Sequence, residues 1–176
     1  MNFILAQIFG GIALILVVIS YFLMNKEHFL FIQIIANVFY GLSFIVNGAL
    51  VAGLNTFISI LRVLVLYLYE RKDKTPPIYL ILIFSACYIT IGVIFFKSYY
   101  DIIVIITPIL FTIAMWVKNM QLVRYLMLLP NAILVFYAIL NQVYTTALLD
   151  LIEVIAIIVA LITYYIHKKK EREYLL

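Results

Sequence analysis

The sequence predicts an all-α integral membrane protein with seven transmembrane helices. Three observations carry that prediction: an extreme apolar composition, the length and number of the apolar runs, and the confinement of basic residues to alternate short breaks. Of the 176 residues, 68% are hydrophobic and 11% are charged, and the mean hydropathy is +1.20. Soluble domains carry roughly a quarter charged residues, so too little polar sequence exists here to cover an apolar interior. A water-soluble globule and a disordered chain are both excluded. A hydrocarbon core of about 30 Å takes about 20 helical residues per crossing, which limits the chain to about eight spans.

The runs fall near 3–24, 30–49, 51–69, 78–96, 101–117, 120–141 and 143–166. They are too long and too uniformly apolar for barrel strands, so helices are the spanning form. The first run lacks a basic start and a small-residue cleavage pattern, which argues against a cleaved signal peptide. Breaks at Asn25 to His28, Glu70 to Pro77, Lys118-Asn119 and the tail after Ile166, together with Arg124 near the start of run 6, hold ten of the twelve basic residues. Lys97 falls on the opposite side and Arg62 within a span. The positive-inside rule then places the N-terminus outside and the C-terminus inside. Tyrosines and Trp116 near the span ends fit an interfacial belt. The tail Lys168, Lys169, Lys170 and Arg172 reads as a stop-transfer anchor, with no nucleic-acid partner expected. The expected partner is the lipid bilayer, and the sequence leaves room for a homo-oligomer.

An internal repeat is visible in the asparagines. Asn25, Asn37 and Asn47 recur as Asn119, Asn131 and Asn141, each 94 positions on, and these make six of only eight in the chain. Runs 1–3 match runs 5–7 in length and loop style. With one linker span between them, the repeats are parallel, a common transporter plan. The expected division is 1–74 for the first repeat, 75–99 for the linker helix and 100–176 for the second repeat with its basic tail.

Polar residues inside the spans are the informative ones, because a charge at the bilayer centre costs about 2.5–3.5 kcal/mol on insertion scales. Arg62 in run 3 and Glu153 in run 7 lie at one depth, about 16 and 15 Å from their helix starts. A cross-repeat ion pair between them is expected, either as a structural lock or as part of a gate or ligand site. Asn55, Ser59 and Arg62 form one polar stripe at i, i+4 and i+7, and Asp150 and Glu153 form the facing stripe. Asn37 and Asn131 sit on the second helix of each repeat, as packing glue or as ligand contacts. Pro130 removes a backbone donor beside Asn131 and marks a hinge; Pro108 in run 5 has the same property. Asn47 and Asn141 read as caps or turn formers. Lys26 and Arg124 read as snorkelling anchors. Gly10, Gly11, Gly41 and the stretch from Ala49 to Gly53 indicate close helix approach.

No enzyme signature is present: there is no HExxH, no Gly-x-Ser-x-Gly and no phosphate loop. His28 and His167 fall at membrane edges without ligand clusters, and the lone Cys87 permits no internal disulfide. No metal and no cofactor are expected.

The opening Leu5-Ala6-Gln7 with Gly10, Gly11 and Ile12-Ala13 resembles the YgjV family of bacterial inner-membrane proteins. Ala52-Gly53, Arg62 nine residues later, and Ile152-Glu153 carry the same resemblance; Ser59 stands where that family is familiar with an amide. The 3+1+3 plan is more distantly similar to the SWEET, semiSWEET and PQ-loop transporters. That similarity implies a proline hinge on the second helix of each repeat, matched by Pro130-Asn131 but not by Ala36-Asn37. It also implies a third-helix asparagine at the solute, loosely matched by Asn55. The resulting expectation is a multi-pass carrier of a small polar solute in the bacterial inner membrane. Its midplane cavity would be lined by Asn37, Asn55, Ser59, Arg62, Asn131, Asp150 and Glu153. The rival expectation is a non-transporting membrane factor that docks a partner or senses a ligand.

Overall fold

A computed structural model describes residues 2–96, 99, 102–140 and 144–174. The described residues form seven helices: α1 Asn2–Phe22, α2 Lys26–Val46, α3 Leu50–Arg71, α4 Tyr79–Ile94, α5 Ile102–Trp116, α6 Met120–Leu140 and α7 Tyr144–Tyr174. Five of them (α1, α2, α3, α6 and α7) are long and apolar enough to cross a membrane. Helices α4 and α5 have 16 and 15 residues, about 24 and 22 Å at 1.5 Å per residue. They are shorter than the runs that predict them. Lys97 and Asn141 lie outside the described residues.

Local chemistry sets the helix ends. The Asn25 side chain accepts from the Glu27 amide at 2.8 Å, and Asn119 accepts from the Gln121 amide at 2.9 Å. Both are N-caps that satisfy a first-turn donor. With Asn25 as a cap, α2 starts at Lys26, earlier than apolarity alone predicts. At the other end of α2, Gly48 takes φ +73°. There Gly48 donates to the Ile45 carbonyl and Ala49 to the Phe44 carbonyl, which is a Schellman closure. Asp73 repeats this closure after α3 with φ 49°, while Asp73 and Lys74 donate to the Glu70 and Tyr69 carbonyls. Both α5 and α6 continue through their prolines, Pro108 and Pro130. Helix α7 runs past its apolar stretch into the basic tail.

Helix α2 packs on both α1 and α3, and α6 packs on both α5 and α7. Between these groups, α1 meets α7 and α3 meets α5, while α4 lies against α3 and α5. Small residues set the spacing within the first group. A Cβ on Gly10 would stand 3.4 Å from Ser43 Oγ, and one on Gly41 would stand 3.6 Å from Thr56 Cγ2. A Cβ on Gly11 or Gly53 would meet nothing within 4 Å among the described residues, so neither is a close-approach point there. Gly92, which sequence reasoning passed over, abuts the Ile105 side chain between α4 and α5.

The contiguous buried core lies in the half of the bundle that carries the basic loops. It runs from Val17 and Tyr21 through Phe29, Val63, Met115 and Val123 to Leu161. That end is also tied by polar contacts. Lys26 pairs with Glu70 at 3.1 Å, Lys118 with Asp73 at 3.2 Å, and Trp116 Nε1 donates to the Pro76 carbonyl at 3.1 Å. In the opposite half the buried residues are mostly small, such as Ala6, Ala13, Ala138 and Ala147. The basic end is the tightly packed end.

Candidate functional site

Glu153 stands about 14 Å along α7 from its first residue, well inside the apolar stretch. Two tyrosines converge on it from the first three helices. Tyr21, one residue from the basic end of α1, donates to Glu153 Oε2 at 3.3 Å. Tyr40, about 21 Å up α2 from the same end, donates to Glu153 Oε1 at 3.2 Å. Helical side chains lean towards the N-terminus of their own helix. Since α1 and α2 run in opposite directions, both rings tilt towards the middle of the bundle. The buried Asn131 side chain lies against the Tyr21 hydroxyl and donates to the Met127 carbonyl at 2.8 Å. Asp150, half-buried one turn away on α7, adds a second carboxyl to the same neighbourhood.

The predicted Arg62–Glu153 pair is not formed. Arg62 is buried at 4% exposure, and its Nη1 donates at 3.0 Å to both the Pro108 carbonyl and Thr112 Oγ1. Its guanidinium lies 5.8 Å from the Tyr88 ring centre, and Tyr88 shares a 2.9 Å hydrogen bond with Ser59. Equal depth was the basis for expecting the pair, and depth says nothing about azimuth. Helix α3 turns its polar stripe to α4 and α5, whereas α7 faces α1 and α6. Thr112 also donates to the Pro108 carbonyl at 2.7 Å, so the turn at Pro108 gives the arginine two acceptors together.

The predicted lining therefore divides into separate clusters. Glu153, Asn131 and Asp150 gather with Tyr21 and Tyr40, while Arg62 and Ser59 gather with Tyr88 and Thr112. Asn37 donates back to the Gln33 carbonyl at 2.7 Å. Asn55 Oδ1 is buried with no hydrogen-bond partner among the described residues. Pro130 is itself buried within α6.

Lys26 and Arg124 are not snorkelling. Their side chains turn inward, to 6% and 1% exposure, because each finds oxygen acceptors at the helix ends. Lys26 meets Glu70, and Arg124 Nη2 donates to the Leu23 carbonyl at 2.8 Å, joining α6 to the end of α1. The sequence held one usable signal for the tyrosines, since Tyr21, Tyr40 and Tyr88 fall within runs rather than only at their edges. Their hydroxyls need partners there. Among the described residues no group of three or more His, Cys, Asp or Glu could hold a metal.

The Glu153 cluster is a carboxyl inside an apolar bundle, held by neutral hydroxyl donors. Among the described residues no cation pairs with it. Such a group can accept hydrogen bonds from a polar ligand, attract a cation or hold a proton. No curated protein and no solved structure matches the chain. A family model described as a bacterial inner membrane protein, Imp-YgjV, matches residues 4–171, and the chain belongs to that family of multi-pass inner-membrane proteins.

Proposed function

We propose that this inner-membrane protein carries a small polar solute across the bilayer by rocking two three-helix units, α1–α3 and α5–α7, with α4 as the linker span. The observation that carries this reading is Glu153, a carboxyl between helices of the two units that no cation pairs with among the described residues. A charge in the membrane interior without a fixed counter-charge marks a solute or ion pathway more often than a packing device.

The plan of two parallel repeats is supported by the helix bounds. Shifting α2 by 94 residues gives the bounds of α6, the last residue of α1 gives that of α5, and the first residue of α3 is matched by that of α7. The caps Asn25 and Asn119, and the back-bonded pair Asn37 and Asn131, follow the same shift. Contacts of α1 with α7 and of α3 with α5 exchange under it as well. With seven crossings, the basic loops fall on the cytoplasmic side and the N-terminus outside. The core and polar ties then close the cytoplasmic end, as one state of an alternating-access cycle requires.

The test is uptake into proteoliposomes over a panel of sugars, amino acids and vitamins, with Glu153→Gln as control. Saturable uptake of one solute, lost in Glu153→Gln while the variant still folds, is the expected result. No uptake of any solute by folded protein, or uptake that ignores Glu153, would refute the carrier reading.

A further inference from the structure

At the basic end, α1, α6 and α7 leave a cleft of about 280 Å³, with Phe22, Met24, Arg124, Thr163, Tyr164 and His167 among its lining. Arg124 is its charged wall. The arginine is 1% exposed, yet among the described residues no carboxylate pairs with it. Its neighbours are neutral. Nη2 donates to the Leu23 carbonyl and Nη1 to Gln121 Oε1, both at 2.8 Å, and Nε has no hydrogen-bond partner among the described residues. A buried cation without a counter-ion bears a desolvation cost that neutral acceptors offset only in part.

The position where an anion would sit is held by a thioether. Met24 Sδ lies 4.0 and 3.9 Å from Arg124 Nη1 and Nη2 and 3.9 Å from Gln121 Nε2. Three donors thus surround sulfur, a weak acceptor. Met24 is itself 59% exposed, and its unbranched chain can swing aside. The rim adds further positive charge, with Lys168 Nζ 5.8 Å from the Tyr164 ring centre. His167, also at the rim, donates from Nδ1 to the Thr163 carbonyl at 3.0 Å.

We infer that this cleft is an anion site for a phosphate group, which displaces Met24 and takes charge-assisted hydrogen bonds from Arg124 and Gln121. An arginine fork suits phosphate oxygens. The cleft opens where the spans end, at the level of phospholipid headgroups, and basic pockets between membrane helices bind such groups. Free phosphate and an anionic lipid headgroup share this chemistry.

The whole chain in maltoside micelles, which contain no phosphate, provides the test, with thermal unfolding followed through the single tryptophan, Trp116. One arm titrates inorganic phosphate against chloride at equal ionic strength. The other adds phosphatidylglycerol against diacylglycerol with the same chains. The expected result is a saturable rise in Tm of about 5 °C near a hundredfold excess over Kd, in either arm. A rise in the first arm identifies free phosphate as sufficient, and a rise in the second alone identifies the headgroup as the source. Met24→Ala, at an exposed position, should lower the half-saturating concentration about fivefold by clearing the site. Gln121→Leu should raise it, and Arg124→Gln should abolish the effect. If Arg124→Gln fails to fold, the Met24 and Gln121 variants decide. No rise, equal rises with chloride or diacylglycerol, or half-saturation unchanged in Met24→Ala would overturn the site.

Discussion

A double-mutant cycle on Arg62 separates the observed contacts from the ion pair that depth alone suggests. The perturbations are Arg62→Met, Thr112→Val and Glu153→Gln, singly and in the two pairs that contain Arg62. Arg62 Nη1 makes two 3.0 Å hydrogen bonds, of which one is to Thr112. Side-chain hydrogen bonds in membrane proteins average about 0.6 kcal/mol and reach about 1.7. A charged donor lies towards the upper end, so the Arg62–Thr112 coupling should be about 1–1.5 kcal/mol. Arg62→Met keeps an apolar stem of similar reach to Nε and removes a desolvated charge. The Pro108 carbonyl retains Thr112 Oγ1 at 2.7 Å, so the single variant should cost no more than about 2 kcal/mol. Arg62 and Glu153 share no hydrogen-bond partner among the described residues, and their coupling should stay below about 0.5 kcal/mol. The assay is reversible unfolding in mixed micelles with rising denaturing-detergent fraction. An Arg62–Glu153 coupling near 3 kcal/mol, the cost of breaking a buried pair, with none between Arg62 and Thr112, would refute the azimuthal assignment of α3.

Other expected outcomes follow from single contacts. Gly92→Ala should lower Tm, because its Cβ would collide with the Ile105 side chain. Gly11→Ala, with nothing within 4 Å among the described residues, should stabilise the fold by about 1 kcal/mol or less through helix propensity and so raise Tm. Glu70→Gln leaves Lys26 buried without its anion and should cost about 1–3 kcal/mol; adding Lys26→Met should recover most of that in the same unfolding assay. A reporter fused after Leu176 should read cytoplasmic, and one inserted beside Lys97 should read external. Either reporter reversed would overturn the orientation.

The helices were legible because their signals are one-dimensional. Apolar runs fix the spans, and Asn25 and Asn119 mark where two of them begin. The 94-residue spacing was visible for the same reason, since cap residues keep fixed positions relative to their helices. What the sequence left open was rotation about each helix axis. Arg62 could have faced α7, and only the packing of α3 on α5 turns it to Thr112. Lys26 and Arg124 misled in another way. A basic residue near a span end reads as reaching outward for headgroups, but the carbonyl at Leu23 and the carboxylate of Glu70 offered closer partners inside. Tyr21 and Tyr40 were missed because tyrosine is expected at the interface, and their hydroxyls became informative only once Glu153 stood between them.

The charged and hydroxyl residues of the two clusters do not follow the 94-residue spacing that the helix bounds and asparagines obey. Ninety-four positions from Glu153, Tyr21 and Tyr40 stand Ser59, Met115 and Leu134, and Arg62 maps to Ala156. A pair of identical first halves would bring two sets of tyrosines to a serine, and a pair of identical second halves would leave Glu153 facing methionine and leucine. Neither homotypic pairing could assemble the Glu153 cluster. On the proposed two-repeat plan the halves are complementary rather than interchangeable, so fragments severed within the Lys72 to Ile78 connection should be functional only when both are co-expressed. Duplicating either one in place of the other should leave a bundle with spans but no site.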